Sequence, residues 1–196
     1  MLDVDNYVPH VLDNCPGLIK HVVASCANKK ASPEERNLAA GCIHNIVWNP
    51  TCLQRVQNQV GAEIISFYKR IRSIIIKRKA GLVARGPELS YYFFLTMSHM
   101  ARVPEFSQMC IDKGALETLP ELMLAPNLEV RETAIGLANN VNASLENARY
   151  LWEIGCFIPA LKNVDSRFER TAEVSSSLIL QMVYNLADLN SFCRRE

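Results

Sequence analysis

Residues 131–163 read R-E-T-A-I-G-L-A-N-N-V-N-A-S-L-E-N-A-R-Y-L-W-E-I-G-C-F-I-P-A-L-K-N. The first part has the apolar spacing of a helix that ends near Asn139-Asn140. A polar turn follows, then a short helix around 147–154. Gly155 breaks that helix, and a second apolar helix starts at Ile158. Such a helical unit cannot bury its apolar faces alone. It needs copies of itself to stack against.

Two columns define the copies. One is a glycine that opens an apolar helix: Gly17, Gly61, Gly114 and Gly155. The other is a polar residue inside a helix: Asn45, His99, Asn139 and Asn185. The first three members of the polar column precede the next glycine by 16, 15 and 16 residues. Pro50 and Pro104 each stand five residues after Asn45 and His99. A period of about 40–47 residues is that of helical solenoid arrays.

The pieces A-A-G-C-I-H-N-I (39–46), T-A-I-G-L-A-N-N (133–140) and L-I-L-Q-M-V-Y-N-L (178–186) resemble the third helix of an armadillo repeat. The pieces starting at Gly17, Gly61, Gly114 and Gly155 resemble its glycine turn and second helix. The resemblance covers nearly the whole chain. It implies an all-α fold, a right-handed α-α superhelix of about four repeats. Residues 1–196 then form a single armadillo-like domain, with both ends falling within a repeat.

Composition sets the bounds. The chain is 49% hydrophobic and 21% charged, as expected of a globular domain. Net charge is +1, so no overall field calls for nucleic acid or a membrane surface. The seven cysteines follow no metal-site spacing and fall mostly in apolar helix patterns. That use of cysteine implies reduced thiols and places the protein in the cytoplasm or nucleus. The opening M-L-D-V-D-N lacks the basic region and apolar run of a signal peptide.

Along the chain, residues 1–15 read as a lead without periodicity. Ser32-Pro33-Glu34-Glu35 is a helix start: a capping hydroxyl, a proline for the first position, and acids for the positive dipole end. A long amphipathic helix is expected from Ala62 to about Lys79. Here the repeat is disturbed, because Gly61 and His99 lie 38 residues apart against 28, 25 and 30 elsewhere. The surplus, about 70–86, reads as a basic insert outside the stacked core. Lys69, Arg70, Arg72, Lys77, Arg78, Lys79 and Arg85 lie in or beside it, with no acid between Glu63 and Glu88.

No catalytic constellation is visible. The Walker, G-x-G-x-x-G, H-E-x-x-H and G-x-S-x-G patterns are all missing. The reading is a non-enzyme without cofactor or metal. The polar column carries the functional expectation. The resemblance implies that third helices line a groove, where amides hold the main chain of a bound segment. An amide both donates and accepts, which suits that work. The candidate groove residues are Asn45, His99, Asn139, Asn185, Tyr92 and Gln181. Gly41, Leu95, Ile135 and Gln181 flank the column one turn earlier. None is aromatic, so recognition of basic localisation signals in the importin-alpha manner is not expected. Trp48 and Trp152 read as core or loop anchors.

The expected function is protein–protein interaction, as an adaptor, scaffold or regulatory subunit. The alternatives are an Hsp70-type chaperone cofactor, or a nucleic-acid-associated protein using the basic insert on an anionic partner. Self-association through exposed end repeats is a further option. The thiol reading is checked by denaturing titration without reductant. It should count close to all seven cysteines; a count near one would mean disulfides and a different compartment.

Overall fold

The computed structural model describes residues 4–79 and 88–193, with side chains for 7–76 and 89–187. The described residues contain helices and turns and no strand. They group as four successive sets. The first is α1 (Val4–Asn14), α2 (Leu18–Ala27) and α3 (Pro33–Trp48). A 3-10 turn, Pro50–Cys52, leads into α4 (Leu53–Lys79) and α5 (Glu88–Met100). The third set is α6 (Pro104–Asp112), α7 (Leu119–Leu122) and α8 (Leu128–Val141). The last is α9 (Leu145–Glu153), α10 (Phe157–Asn163) and α11 (Glu169–Cys193). The closing helix of each set packs on that of the next, in the order α3, α5, α8, α11. This is an all-α solenoid with one continuous apolar core.

Local chemistry explains the helix starts. Ser32 Oγ accepts from the Glu35 N–H at 3.2 Å, and Glu35 accepts from the Ser32 N–H at 2.7 Å. That reciprocal pair satisfies two otherwise orphaned donors. Asn127 and Ser144 cap α8 and α9 with a single bond each, accepting from the Val130 and Asn147 N–H groups. Four residues after their caps, Arg36 and Arg131 fold back to the helix before. Arg36 Nε donates to the Cys26 carbonyl at 2.9 Å, and Arg131 Nε to the Ala125 carbonyl at 2.8 Å. The repeat therefore extends to a staple that periodicity alone does not reveal.

Side chains also join one set to its neighbour through backbone carbonyls. Asn140 Nδ2 donates to Ser98 O at 2.8 Å, Asn163 Nδ2 to Met123 O at 3.0 Å, and Asn185 Nδ2 to Asn142 O at 3.2 Å. Asn142 Nδ2 reaches forward to Leu178 O at 3.4 Å. Arg55 donates to Leu12 O at 2.7 Å and pairs with Asp13 at 2.6 Å. Most of these partners stand one repeat period apart in sequence.

Three expectations need correction. Residues 1–15 are not an aperiodic lead, because α1 spans most of them. Its signal is weakened by Pro9 inside the helix, and its anchor is Arg55 from the next set. Gly61 opens no helix. It lies inside the 27-residue α4, where Gln57 lies over the space a side chain would take. The basic segment is not wholly outside the stacked core: the helix expected to about Lys79 is present, and within it Ile71 and Ile75 are buried. Residues 80–87, and with them Arg85, lie outside the described residues.

The glycines therefore do different work. Gly114 and Gly155 have φ of 59° and 89°, which an L side chain rarely adopts. Gly17 has an ordinary φ of −86° and open space around it. Gly155→Ala should lower stability by about 1–2 kcal/mol. Gly17→Ala should stay within about 0.5 kcal/mol. Denaturant melts of the two variants check the contrast.

Candidate functional site

A groove of about 370 Å³ runs across the four closing helices. α3 contributes His44 and Trp48, α5 contributes Leu95, Ser98 and His99, and Arg102 follows in the turn after α5. α8 adds Glu129, Glu132 and Ile135, and α11 adds Arg170, Thr171 and Val174.

One end of its floor is a ring cluster. The His44 and His99 centroids are 5.4 Å apart. Trp48 meets His99 edge-to-face at 4.8 Å and His44 at 6.0 Å. Tyr92 lies 5.8 Å from His44. Its ring lies against α3 beside Gly41, where a Cβ would stand 3.8 Å from it, an ordinary contact. Trp48 remains 63% exposed, so the indole is open to a ligand. The Nδ1 atoms of His44 and His99 are buried without a hydrogen-bond partner. Burial lowers the pKa of both rings. For His99, burial, then His44 and Arg102, bring it down to about 4. Both imidazoles are thus neutral near pH 7.

The predicted site residues do not share one place. His99 lines the groove, and Tyr92 packs behind it. Leu95 and Ile135 line it as well. Asn45 is exposed on α3, one position from His44, and is not among the groove residues. Asn139 is half-buried with its Oδ1 unpartnered, while Asn140 makes the bond to α5. Asn185 is a staple to Asn142. Gln181 lines a separate hollow on α11 with Leu180 and Tyr184. Trp48, read from sequence as an anchor, is the most open ring of the groove. The signal for it was available: His44 and Trp48 are four apart and share a helix face.

The basic segment is partly tied down. Lys69 Nζ donates to the Lys113 carbonyl. Arg72 reaches the Gly114 carbonyl at 3.5 Å and Glu117 at 3.8 Å. Arg70 lies over the Phe67 ring at 5.2 Å. Lys69 and Arg72 thus hold α4 to the turn after α6. The side chains of Lys77, Arg78 and Lys79 lie outside the described residues.

The chain matches no known family model and no curated protein. It is similar to solved structures. An engineered protein superposes with a TM-score of 0.73 at 15% identity, over 92% of this chain and 68% of that one. Computationally designed armadillo repeat proteins for modular peptide recognition give 0.69 at 20%, over 91% and 73%. A designed armadillo repeat protein in complex with the peptide (KR)4 gives 0.66 at 18%, over 87% and 69%. The fold is armadillo-like. Among the described residues no helix is long and apolar enough to cross a membrane.

The histidine pair makes a pH prediction. His99 has an ordinary value of 6.5 and a folded value of about 4. Between these the unfolded chain binds more protons, so stability falls as pH falls. The contribution is complete above the ordinary value and lost on approach to the folded one. Melting temperature should therefore drop on acidification, and drop less in His99→Phe, which keeps a ring but cannot charge. Parallel slopes for the two proteins would show that the imidazole does not titrate in this range.

Proposed function

We propose that this protein is a non-enzymatic binding module, an adaptor, scaffold or regulatory subunit of the cytoplasm or nucleus. It holds a segment of a partner protein along the groove between α3 and α11. The observation that carries the reading is the open indole of Trp48, seated on two neutral imidazoles at the end of a groove crossing four helices. An exposed aromatic in a concave site is the kind of group that anchors a partner. The fold supports the reading too, since similar designed proteins are described as recognising peptides.

Within the polar column, Asn139 and Asn185 take different parts. Asn139, half-buried on α8, offers its Nδ2 to a carbonyl of the partner's main chain; its Oδ1 is buried without a hydrogen-bond partner in the free protein. Asn185 holds α11 on α8.

The test compares proteins captured from cells of the source by the wild type, Trp48→Ala, Asn139→Ala and Asn185→Ala. Trp48→Ala should weaken capture at least about tenfold, which is about 1.4 kcal/mol, and leave the melting temperature nearly unchanged. Asn139→Ala should weaken capture to a smaller degree. Asn185→Ala should lower stability by about 0.5–1.5 kcal/mol with capture retained. A Trp48→Ala protein that captures the same partners with the same affinity would overturn the groove reading.

A further inference from the structure

A second open surface lies at the end of the solenoid, beyond the groove. α11 packs on α8, α9 and α10. Its Thr171 and Asn185 donate to Glu132 and to the Asn142 carbonyl, and Leu178 and Met182 between them are buried. Leu180 stands two residues from both Leu178 and Met182. At about 100° per residue it therefore points away from them. Around it Glu173, Ser177, Val183, Tyr184 and Ala187 are exposed. Leu180 and Tyr184 are 70% and 71% exposed, on the face that continues the stacking order α3, α5, α8, α11. On α10, Ile158 and Leu161 are exposed as well, turned away from Asn163, whose bond runs back to Met123 of the preceding set. Half of the large exposed apolar side chains among the described residues lie at this one end. The other end differs. The exposed stripe of α3 is Glu34, Leu38, Cys42 and Asn45, a single large apolar side chain among small or polar ones.

We infer that this face is a two-fold interface between two copies of the chain, with α11 lying antiparallel to its counterpart about Leu180. The first ground is continuity. The outer face of α11 extends the surface on which each closing helix receives the next, so another helix of this kind fits it. The second is shape. A hollow of about 710 Å³ is lined by Glu173, Ser176, Ser177, Leu180, Gln181 and Tyr184. Small residues, Ser176 and Ser177, stand four and three positions before Leu180; large ones, Val183 and Tyr184, stand three and four after it. Reversing the helix about Leu180 exchanges the two halves. Tyr184 of each copy then enters the hollow over Ser177 of the other, Val183 meets Ser176, and the two Leu180 side chains meet on the axis. A parallel pairing would set Tyr184 against Tyr184 and leave the serines uncovered. The third ground is charge. Of the described residues lining the hollow only Glu173 is charged. Seven residues from the axis, it stays about 20 Å from its counterpart, beyond the range of screened repulsion. An isologous contact of this kind closes at two copies. The axis that both reverses α11 and turns one end face onto the other leaves both grooves open on the same side. The pair therefore offers two grooves side by side, whatever each of them binds.

The test is sedimentation equilibrium of the full chain under reductant, from micromolar concentration to about 1 mM. The wild type should pass from monomer to dimer as concentration rises. Leu180→Asp places two carboxylates on the axis and should weaken the dimer at least about tenfold. Because Leu180 is exposed, the melting temperature of that variant in dilute solution should match the wild type's. Orientation is read by Ser177→Glu and Tyr184→Lys. Each alone should weaken the dimer, the first by filling the hollow and the second by removing the ring. The two in one chain should restore it, because antiparallel pairing sets the new carboxylate of each copy against the new ammonium of the other. A wild type that stays monomeric throughout would overturn the inference and give this face to a different partner or a further segment. So would a Leu180→Asp protein that dimerises like the wild type, or species that keep growing past the dimer, which is what head-to-tail stacking gives. A double variant no better than its singles would overturn the antiparallel register.

Discussion

Bonds from side chains to backbone carbonyls of the next repeat hold this solenoid in register. A repeat contacts only its neighbours, so each interface must carry its own specification. Apolar packing alone specifies it loosely, because flat hydrophobic faces can slide. A directed hydrogen bond cannot. Asn140 to Ser98, Asn163 to Met123 and Asn185 to Asn142 all tie a side chain to a carbonyl one repeat earlier. Asn163 is buried and Asn140 and Asn185 partly so, hence a lost partner would leave a polar group poorly solvated. The same logic governs Arg36 and Arg131, which satisfy carbonyls in the last turn of the preceding helix (Cys26) or just beyond it (Ala125).

The groove is a consequence of that register. With α5 fixed on α3, His99 arrives 5.4 Å from His44, and Trp48 closes over the pair. Two glycines let the helices approach. Tyr92 fits beside Gly41, and Ser98 lies 3.6 Å from where a Cβ of Gly136 would stand. A Cβ at either place would meet its neighbour at ordinary contact distance, so an alanine would fit there and only a longer side chain would crowd Tyr92 or Ser98. Small residues at these contacts and amides at the staples are thus two parts of one constraint.

Much of the fold was legible because its determinants are local. Ser32-Pro33-Glu34-Glu35 begins a helix whatever surrounds it, and Gly114 and Gly155 sit where only glycine is comfortable. Gly61 was misread because a glycine in a helix resembles one in a turn until the partner, Gln57, is known. α1 was missed because Arg55, which holds it, comes from a distant segment. The groove was less legible, since a helix turns about 100° per residue. An assignment displaced by one position therefore points elsewhere. Asn140, next to Asn139, makes the bond to α5, and His44, next to Asn45, faces the groove. Of the column, His99 lines the groove, from α5.

The chemistry of the floor fits a surface that must stand both empty and filled. A floor of leucine would be stable only when covered, and open apolar patches invite aggregation. Imidazole and indole rings carry polar edges, so they tolerate water and still offer flat apolar faces. Keeping them neutral needs no special device. Burial disfavours the imidazolium at both rings, and at His99 the neighbouring His44 and Arg102 disfavour it further. Arg102 consequently has a double effect. It keeps charge off the ring beside it, and it leaves its own charge unpaired at the groove edge. The floor is therefore uncharged and aromatic, and the charged residues of the groove, Arg102, Glu129, Glu132 and Arg170, stand around it with both signs present.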